Sequence, residues 1–184
     1  GQSRLIACGQ RDLAGLRNTR DSGVLVHAHA RLLRLFGHPQ AKLVVAGTGR
    51  DKALKQRIAE LGLEEAVELA GFVDDVPALL KRCHVLLSTS RDEAFGRTVV
   101  EAMASGLPVI GHDSGGTPEL IQHGSTGRLY PGGTDPLAAA MSAVLADLPA
   151  AQEMGHRAQA FAAANFSVER TADLMHALLL QAVR

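Results

Sequence analysis

The residues best suited to chemistry lie in segment 91–104, RDEAFGRTVVEAMA, which follows a short apolar run. Glu93 and Gly96 precede a stretch of helical period, and a second carboxylate, Glu101, lies one turn into it. If the helix begins near Gly96 or Arg97, its free amides form an anion site, because a helix N-terminus carries partial positive charge. The two carboxylates could then hold opposite ends of one ligand. Alternatively, both acids simply complement the helix dipole.

Three further loops carry residues that could bind a ligand. Segment 111–119, GHDSGGTPE, is either a second amide-rich loop or a plain tight turn. Segment 71–75, GFVDD, ends another apolar run, and its acids could be capping residues. After the first apolar run, three arginines could bind phosphate or simply face solvent: Arg11, Arg17 and Arg20.

Other patterns do not indicate a site. Gly47 and Gly49 resemble the start of a dinucleotide fingerprint, but Lys52 occupies the position of its third glycine, so we reject nicotinamide binding. His27 and His29 are two residues apart on a helical stretch and face different sides. No Cys–His or His–Glu spacing resembles a zinc site, and no serine lies in a nucleophile-elbow pattern.

The elements that must position these loops are predicted by the apolar pattern. Most short apolar runs are continuous rather than alternating, which is typical of parallel strands covered on both faces. Helical stretches at 24–36, 53–61 and 76–83 separate them. This order predicts an α/β fold with a doubly wound parallel sheet, whose ligands bind at the carboxyl ends of the strands. The predicted strands are 5–8, 41–47, 66–71, 84–90, 107–111 and, more weakly, 127–130.

Helix starts are predicted from capping residues. Asp51 is a predicted N-cap, as are Thr117 and Asp135, each of which precedes a proline. Ser167 is predicted to begin a last helix.

Length and composition exclude several classes of protein. We predict that residues 1–184 form a single domain, with C-terminal helices over about 134–184. No apolar run is long enough to span a membrane. The 19 Lys and Arg balance 19 Asp and Glu, and aromatic residues are few, which argues against nucleic acid as a partner. The two cysteines, Cys8 and Cys83, are expected to be buried, reduced thiols, which favours a cytoplasmic location.

Taken together, the loops resemble those of a known family. Residues 93–110, EAFGRTVVEAMASGLPVI, closely resemble the E-x7-E signature of retaining GT-B glycosyltransferases, glycosyltransferase family 4 (group 1). Other pieces follow in the family's order at 42–49, 68–73, 115–127 and 166–171, so the resemblance covers nearly the whole chain. It implies a Rossmann-like domain, the C-terminal half of a GT-B hexosyltransferase, whose N-terminal acceptor domain is absent from this sequence.

The resemblance also implies roles for individual residues. Glu93 would approach the donor sugar, and Glu101 would bind the ribose hydroxyls. Phe72 and Val73 would contact the base. Sugar hydroxyls and diphosphate would meet the helix start, at Phe95, Gly96, Arg97 and Thr98.

The predicted diphosphate loop departs from the family pattern. The family uses an Arg and a Lys there, but Gln10 stands where the Arg is expected, with Arg11 next to it, and the loop has no Lys. Counting back from the following helix puts Arg20 in the Lys position, whereas counting from Arg11 points to Arg17. Since Arg also binds phosphate, we assign donor binding to Arg11 and Arg20, with Arg17 as the alternative.

These residues suggest how transfer would proceed. Cleavage of a sugar–diphosphate bond builds negative charge on the leaving oxygen, which arginines and a helix N-terminus can stabilise. Because the sequence has no Asp-x-Asp motif, we expect no metal and no other cofactor. The resemblance implies retention by same-face attack. The expected donor is a UDP- or GDP-sugar, and the expected acceptor a sugar or glycolipid bound by the absent domain. Without that domain we expect weak donor binding and no transfer.

Two other functions are compatible with the sequence. The altered arginine loop favours, as the main alternative, a non-catalytic nucleotide-sugar-binding module. A flavodoxin-like interaction domain is the third, and it would bind no nucleotide. Any membrane association is expected to be peripheral and to arise in the full-length protein.

Overall fold

The computed structural model describes residues 3–8, 19–47, 51–91, 93–167, 170, 172 and 175–176. The strands are β1 (Arg4–Cys8), β2 (Lys42–Ala46), β3 (Val67–Gly71), β4 (Val85–Ser88), β5 (Val109–His112) and β6 (Gly127–Tyr130). The helices are α1 (Thr19–Leu35), α2 (Asp51–Glu60), α3 (Val76–Leu80), α4 (Arg97–Ala104), α5 (Thr117–Leu120), α6 (Thr134–Leu145) and α7 (Leu148–Asn165).

These strands form one parallel sheet in the order β3-β2-β1-β4-β5-β6. This is the doubly wound, Rossmann-like arrangement predicted from the sequence. The order reverses between β1 and β4, which pair directly, with Ala7 opposite Leu87. At such a reversal the connections leave the two strands in opposite directions and open a crevice at the carboxyl ends. The carboxyl ends of β1 and β4 therefore lie beside each other at this crevice.

Helices cover both faces of the sheet, as the continuous apolar strands predicted. Leu43 and Val45 of β2 belong to a core shared with α1, α2 and α6. Val44 and Ala46 point the other way, into a core shared with α3, α4, α5 and α7. All four side chains are at most 2% exposed. Since both faces are buried, an alternation of apolar and polar residues is not needed in these strands.

The predicted elements are present, but some of their ends differ. α1 begins earlier than predicted, at Thr19, and α3 ends earlier, at Leu80. The predicted cap Asp51 is the first residue of α2. The cap at Ser167 is confirmed, because its Oγ accepts a hydrogen bond of 3.1 Å from the Arg170 amide.

Two predicted helix caps are wrong. Gly116 precedes α5, and Thr117 is the first residue of that helix, with a fully buried side chain. α6 starts before Asp135, whose carboxylate pairs instead with Arg31 of α1 at 2.8 Å. In both cases contacts with other elements decide where the side chain goes, and local capping preference is overridden.

Two titratable groups are buried away from the sheet edge. His29 of α1 is fully buried, and neither ring nitrogen has a hydrogen-bond partner among the described residues. Burial lowers the pKa of His29 to about 4, and the charge of Lys42 adds to this effect; the nearby Ala66 carbonyl partly opposes it, although its geometry falls short of a hydrogen bond to either ring nitrogen. Cys83 is a buried free thiol, as predicted, and burial raises its pKa. Cys8 lies in β1, but its side chain falls outside what the structure describes.

Candidate functional site

The loop between β4 and α4, residues 89–96, turns into the helix at a glycine. Gly96 adopts the left-handed conformation, with φ 73° and ψ 52°, which is costly for any residue with a side chain. A Cβ there would also approach Leu120 Cδ1 to 3.0 Å. α4 begins at Arg97, as predicted. Its first amides have no carbonyl partner inside the helix and are presented at the carboxyl edge of the sheet.

The two predicted carboxylates lie on either side of this helix start. Glu93 is half-buried in the β4–α4 loop, and its Oε1 accepts a hydrogen bond of 3.1 Å from the Gly96 amide. A carboxylate offers about four lone-pair positions, so this bond orients the group and leaves capacity for a ligand. Glu101 is exposed on α4, about 6 Å further along the helix axis than Arg97. The structure thus brings both acids to one helix N-terminus.

The loop between β5 and α5, residues 113–116, packs backbone to backbone against the β4–α4 loop. The Gly116 amide donates a hydrogen bond of 2.7 Å to the Glu93 carbonyl oxygen. A Cβ on Gly116 would lie 2.4 Å from the Ala94 carbonyl oxygen, and one on Gly115 would lie 2.8 Å from that of Glu93. The two glycines are therefore required for close approach. The sequence left open whether this loop is an anion site, and its Gly116 amide is in fact committed to the protein.

A side-chain bridge joins the same two loops. The Ser114 hydroxyl donates to the Arg91 carbonyl oxygen and lies 2.7 Å from His112 Nδ1. His112 ends β5 and is only 8% exposed, with its ring edge-on to Tyr130 at 5.3 Å. Neither His112 nor Ser114 was predicted from the sequence to have a role of its own. The available signal was a histidine at the end of a buried strand, two residues before a serine.

The predicted base-contacting residues follow β3. Phe72 is 62% exposed, whereas Val73 is half-buried against the core that contains α4. The Gly47 amide donates to the Gly71 carbonyl oxygen at 2.7 Å and ties the ends of β2 and β3 together. β3 lies three strands from β4, or about 14 Å across the sheet. One ligand that touches the carboxyl ends of both β3 and β4 must therefore be elongated.

The remaining predicted residues of the helix start differ in exposure. Arg97 is exposed and Thr98 half-buried. Phe95 is 52% exposed and packs edge-on against Phe166, with ring centroids 6.1 Å apart. Phe166 in turn contacts Phe161 of α7 at 5.7 Å. The β4–α4 loop is thus supported from the far end of α7 as well as by the β5–α5 loop.

The predicted diphosphate-binding arginines are only partly placed. Arg20 lies in the first turn of α1, but its side chain falls outside what is described. Arg11 and Arg17 lie outside the described residues. Their contact with a ligand stays a prediction.

A groove of about 670 Å³ lies at the other end of the strands from the β4–α4 loop. His84 and Pro108, which line it, come just before β4 and β5, so it lies at the amino ends of the strands. We assign the candidate site to the carboxyl edge, because the free helix amides and the two carboxylates converge there.

Within the described part of the chain, no group of three or more metal-binding side chains is found. No helix of that part could cross a membrane.

Comparison with known proteins identifies the class. The fold is the Rossmann-like α/β fold of GT-B C-terminal domains. The profile of a family described as "Glycosyl transferases group 1" matches residues 16–161, which is most of the chain. This chain therefore belongs to the group 1 glycosyl transferases, as the resemblance implied. N-acetyl-alpha-D-glucosaminyl L-malate synthase of Bacillus anthracis is 34% identical over 149 residues, covering 80% of this chain and 38% of that protein.

Solved structures agree with this assignment. Anabaena HepE, solved in complex with UDP, matches with a TM-score of 0.86 at 29% identity, over 98% of this chain and 49% of HepE. HepE has also been solved with UDP-glucose. The C-terminal domain of the group 1 protein LpcC from Francisella tularensis shares the fold, with a TM-score of 0.75 at 21% identity, over 91% of this chain and 87% of that one. The chain thus spans less than half the length of HepE and of the malate synthase.

Proposed function

We propose that this chain is the nucleotide-sugar-binding domain of a retaining, metal-independent hexosyltransferase of glycosyltransferase family 4. One observation carries the proposal: Gly96 turns the chain into the free N-terminus of α4 at the crevice between β1 and β4, with Glu93 before it and Glu101 one turn inside. HepE shares this fold and has been solved with UDP and with UDP-glucose, which supports a UDP-sugar as the donor of this chain. A GDP-sugar is the alternative.

In this proposal the donor lies along the carboxyl edge of the sheet. Glu93 acts at the sugar, where its carboxylate is already oriented by the Gly96 amide. The amides of Phe95, Arg97 and Thr98 meet sugar hydroxyls and the diphosphate, which the positive end of the helix favours, whereas the Gly96 amide holds Glu93 and Gly96 serves the site by its turn. Glu101 accepts hydrogen bonds from the ribose hydroxyls. Phe72 and Val73, about 14 Å across the sheet, contact the base.

The diphosphate requires positive charge in addition to helix amides. We assign this to Arg11 and to Arg20, with Arg17 as the alternative to Arg20. This assignment is supported by the pairing of β1 with β4, because the carboxyl end of β1 lies beside that of the strand that leads to α4. Arginine suits this role because its planar fork donates two parallel hydrogen bonds to phosphate.

The transfer step breaks one bond of the donor and forms one bond to the acceptor. The bond from the anomeric carbon to the phosphate oxygen breaks, and its electron pair stays on the diphosphate. The acceptor oxygen forms its bond to the anomeric carbon on the same face, and its proton passes to the leaving phosphate. The arginines and the α4 amides stabilise the charge on the leaving group, so the proposal needs no metal ion.

Transfer also requires a bound acceptor. We propose that residues 1–184 are one domain and that an acceptor domain elsewhere in the whole protein binds the sugar or glycolipid acceptor. The chain alone then binds donor weakly and transfers nothing, since the reactants are not held together. We place the whole protein in the cytoplasm, at most peripheral to a membrane, and expect no nucleic-acid partner.

Calorimetric titration tests the donor site. The chain is titrated, without added metal, with UDP, GDP and ADP and then with UDP-glucose and GDP-mannose. We expect saturable binding to one base, weakened about 10-fold or more by Glu101→Ala, because a charged hydrogen-bond partner is lost. Glu153→Ala, which removes an exposed carboxylate from α7, serves as the matched control. Binding of no nucleotide, or equal affinity of both variants, contradicts the proposal.

The non-catalytic alternative is distinguished by activity of the whole protein. Glu93→Gln abolishes transfer there if Glu93 acts at the sugar. If the unsubstituted whole protein binds donor but transfers nothing to any acceptor, the binding-module function replaces the enzyme.

A further inference from the structure

We propose that His112 and Ser114 are positioning residues that set the place of Glu93 at the donor sugar. The inference rests on the proposed function and assigns two residues next to the β4–α4 loop: His112 at the end of β5 and Ser114 in the β5–α5 loop. Neither needs to touch the donor. Both act through the backbone of the β4–α4 loop, to which Ser114 is hydrogen-bonded at Arg91.

The hydrogen bonds fix the direction of this bridge. The Ser114 hydroxyl has one proton, and the Arg91 carbonyl oxygen can only accept, so that proton points at Arg91. His112 Nδ1, 2.7 Å from the same Oγ, must then be the donor. Neutral His112 therefore carries its proton on Nδ1, and the relay runs from imidazole to hydroxyl to carbonyl. Every group in it has one defined role.

The histidine ring is itself firmly held. It is buried at the end of β5 and packs edge-on against Tyr130, opposite it in β6. A Cβ on Gly132 would lie 2.8 Å from Nε2, so only a glycine leaves room for the ring in this position. Because the imidazole is buried and packed, its position is fixed, and its contact with Ser114 can hold the surface loop in place.

The bridge reaches Glu93 by a short path. Ser114 fixes the carbonyl of residue 91, and Gly116 fixes the carbonyl of residue 93, so the β5–α5 loop holds the chain at two points around one intervening residue. The Glu93 carboxylate is then oriented by Gly96. Loss of the Ser114 contact removes one of the two backbone carbonyl contacts by which the β5–α5 loop positions Glu93.

Four variants separate the bridge from simple packing. Ser114→Ala and His112→Leu remove the relay. Ser114→Thr keeps the hydroxyl, and His112→Asn places an amide nitrogen near the former Nδ1. Ser125→Ala, a half-buried serine in the turn before β6, is the control. Thermal unfolding is measured for all five proteins, so that changes in affinity are compared at known stability.

The first readout is the affinity for UDP-glucose and for UDP. We expect Ser114→Ala and His112→Leu to weaken UDP-glucose binding about 3- to 10-fold, the equivalent of one hydrogen bond, and to change UDP binding less than about 2-fold. Ser114→Thr and His112→Asn recover most of the loss. Equal weakening of both ligands, or no recovery, overturns the positioning role.

Two spectroscopic readouts do not depend on any donor. Nitrogen NMR of the imidazole must show the proton on Nδ1 of His112, and hydrogen exchange of the Gly116 amide must accelerate about 10-fold in Ser114→Ala but not in Ser125→Ala. A proton on Nε2, or unchanged exchange, overturns the bridge. If the chain binds no nucleotide sugar while both spectroscopic results hold, the bridge stands and the proposed function fails.

Discussion

The Gly116 amide donates a hydrogen bond of 2.7 Å to the carbonyl oxygen of Glu93. A residue of the β5–α5 loop thus holds the backbone of the residue proposed to act at the sugar. The contact is possible because residues 115 and 116 have no side chains: a Cβ at either position would lie within 2.8 Å of a carbonyl oxygen of the β4–α4 loop. The shape of the candidate site therefore depends on residues that carry no chemistry of their own.

The first prediction compares two glycines of the same backbone conformation. Gly115 has φ +58° and Gly62 has φ +62°, but only Gly115 has neighbours that a Cβ would meet. Gly62→Ala should cost about 1 kcal/mol, the price of a left-handed alanine. Gly115→Ala should cost about 2 to 4 kcal/mol, because the Glu93 backbone must also move. Urea unfolding measures both, and equal costs would show that the loops do not pack as described.

The second prediction concerns pH and His29. The unfolded residue has a pKa of 6.5, and the folded one about 4. Below pH 6.5 the unfolded chain binds a proton at residue 29, whereas His29 in the folded chain stays neutral. The free energy of unfolding therefore decreases as the pH falls to about 4, and it is constant below that. The total loss from this group is at most about 3 kcal/mol.

His29→Leu isolates that contribution. The variant should lose the decrease between pH 6.5 and 4 and be about 1 to 2 kcal/mol more stable at pH 7, since a buried polar ring without partners is replaced by an apolar side chain. Unfolding curves at several pH values measure this, with His27→Gln, half-buried on the same helix, as the control. A pH profile that is unchanged in His29→Leu would contradict the burial of a neutral imidazole.

The third prediction concerns the aromatic contact between Phe95 and Phe166. A double-mutant cycle with leucine at both positions should give a coupling energy of about 0.5 to 1 kcal/mol, as expected for an edge-on ring pair. The same cycle with Phe95 and Phe161 is the control, because Phe161 contacts Phe166 and is expected to be independent of Phe95. If the coupling energy of Phe95 with Phe166 were no larger than that of Phe95 with Phe161, the contact with Phe166 would not support the β4–α4 loop.

The sequence was informative wherever a local pattern decides the structure. Continuous apolar runs predicted strands buried on both faces, and the residues after Glu93 favoured a helix that begins near Gly96 or Arg97, where α4 does begin. The predicted cap at Ser167 depends on a residue only three positions away, the amide of Arg170, and such a local contact can be predicted from the sequence.

Features that depend on contacts between distant residues were not predictable. Asp135 was expected to cap a helix, but Arg31, remote in sequence, pairs with it. The bridge from His112 through Ser114 joins residues 91 and 112, which only the pairing of β4 and β5 brings together. The contacts that hold the Glu93 backbone could not be predicted for the same reason, although the motif did indicate Glu93 as a candidate site residue.

Because main-chain atoms of the β4–α4 loop make most of its contacts with the β5–α5 loop, several exposed side chains of the two loops take no part in these contacts. Ala94 and Arg97 are exposed, as is Asp113 on the adjoining loop, and the hydrogen bonds described for the two loops use none of their side chains. Mutations at these positions can therefore alter what the crevice recognises while the scaffold stays intact. If the crevice binds a nucleotide sugar as proposed, its donor preference can change by mutation at residues 94, 97 and 113, which are the natural library positions for redesigning it.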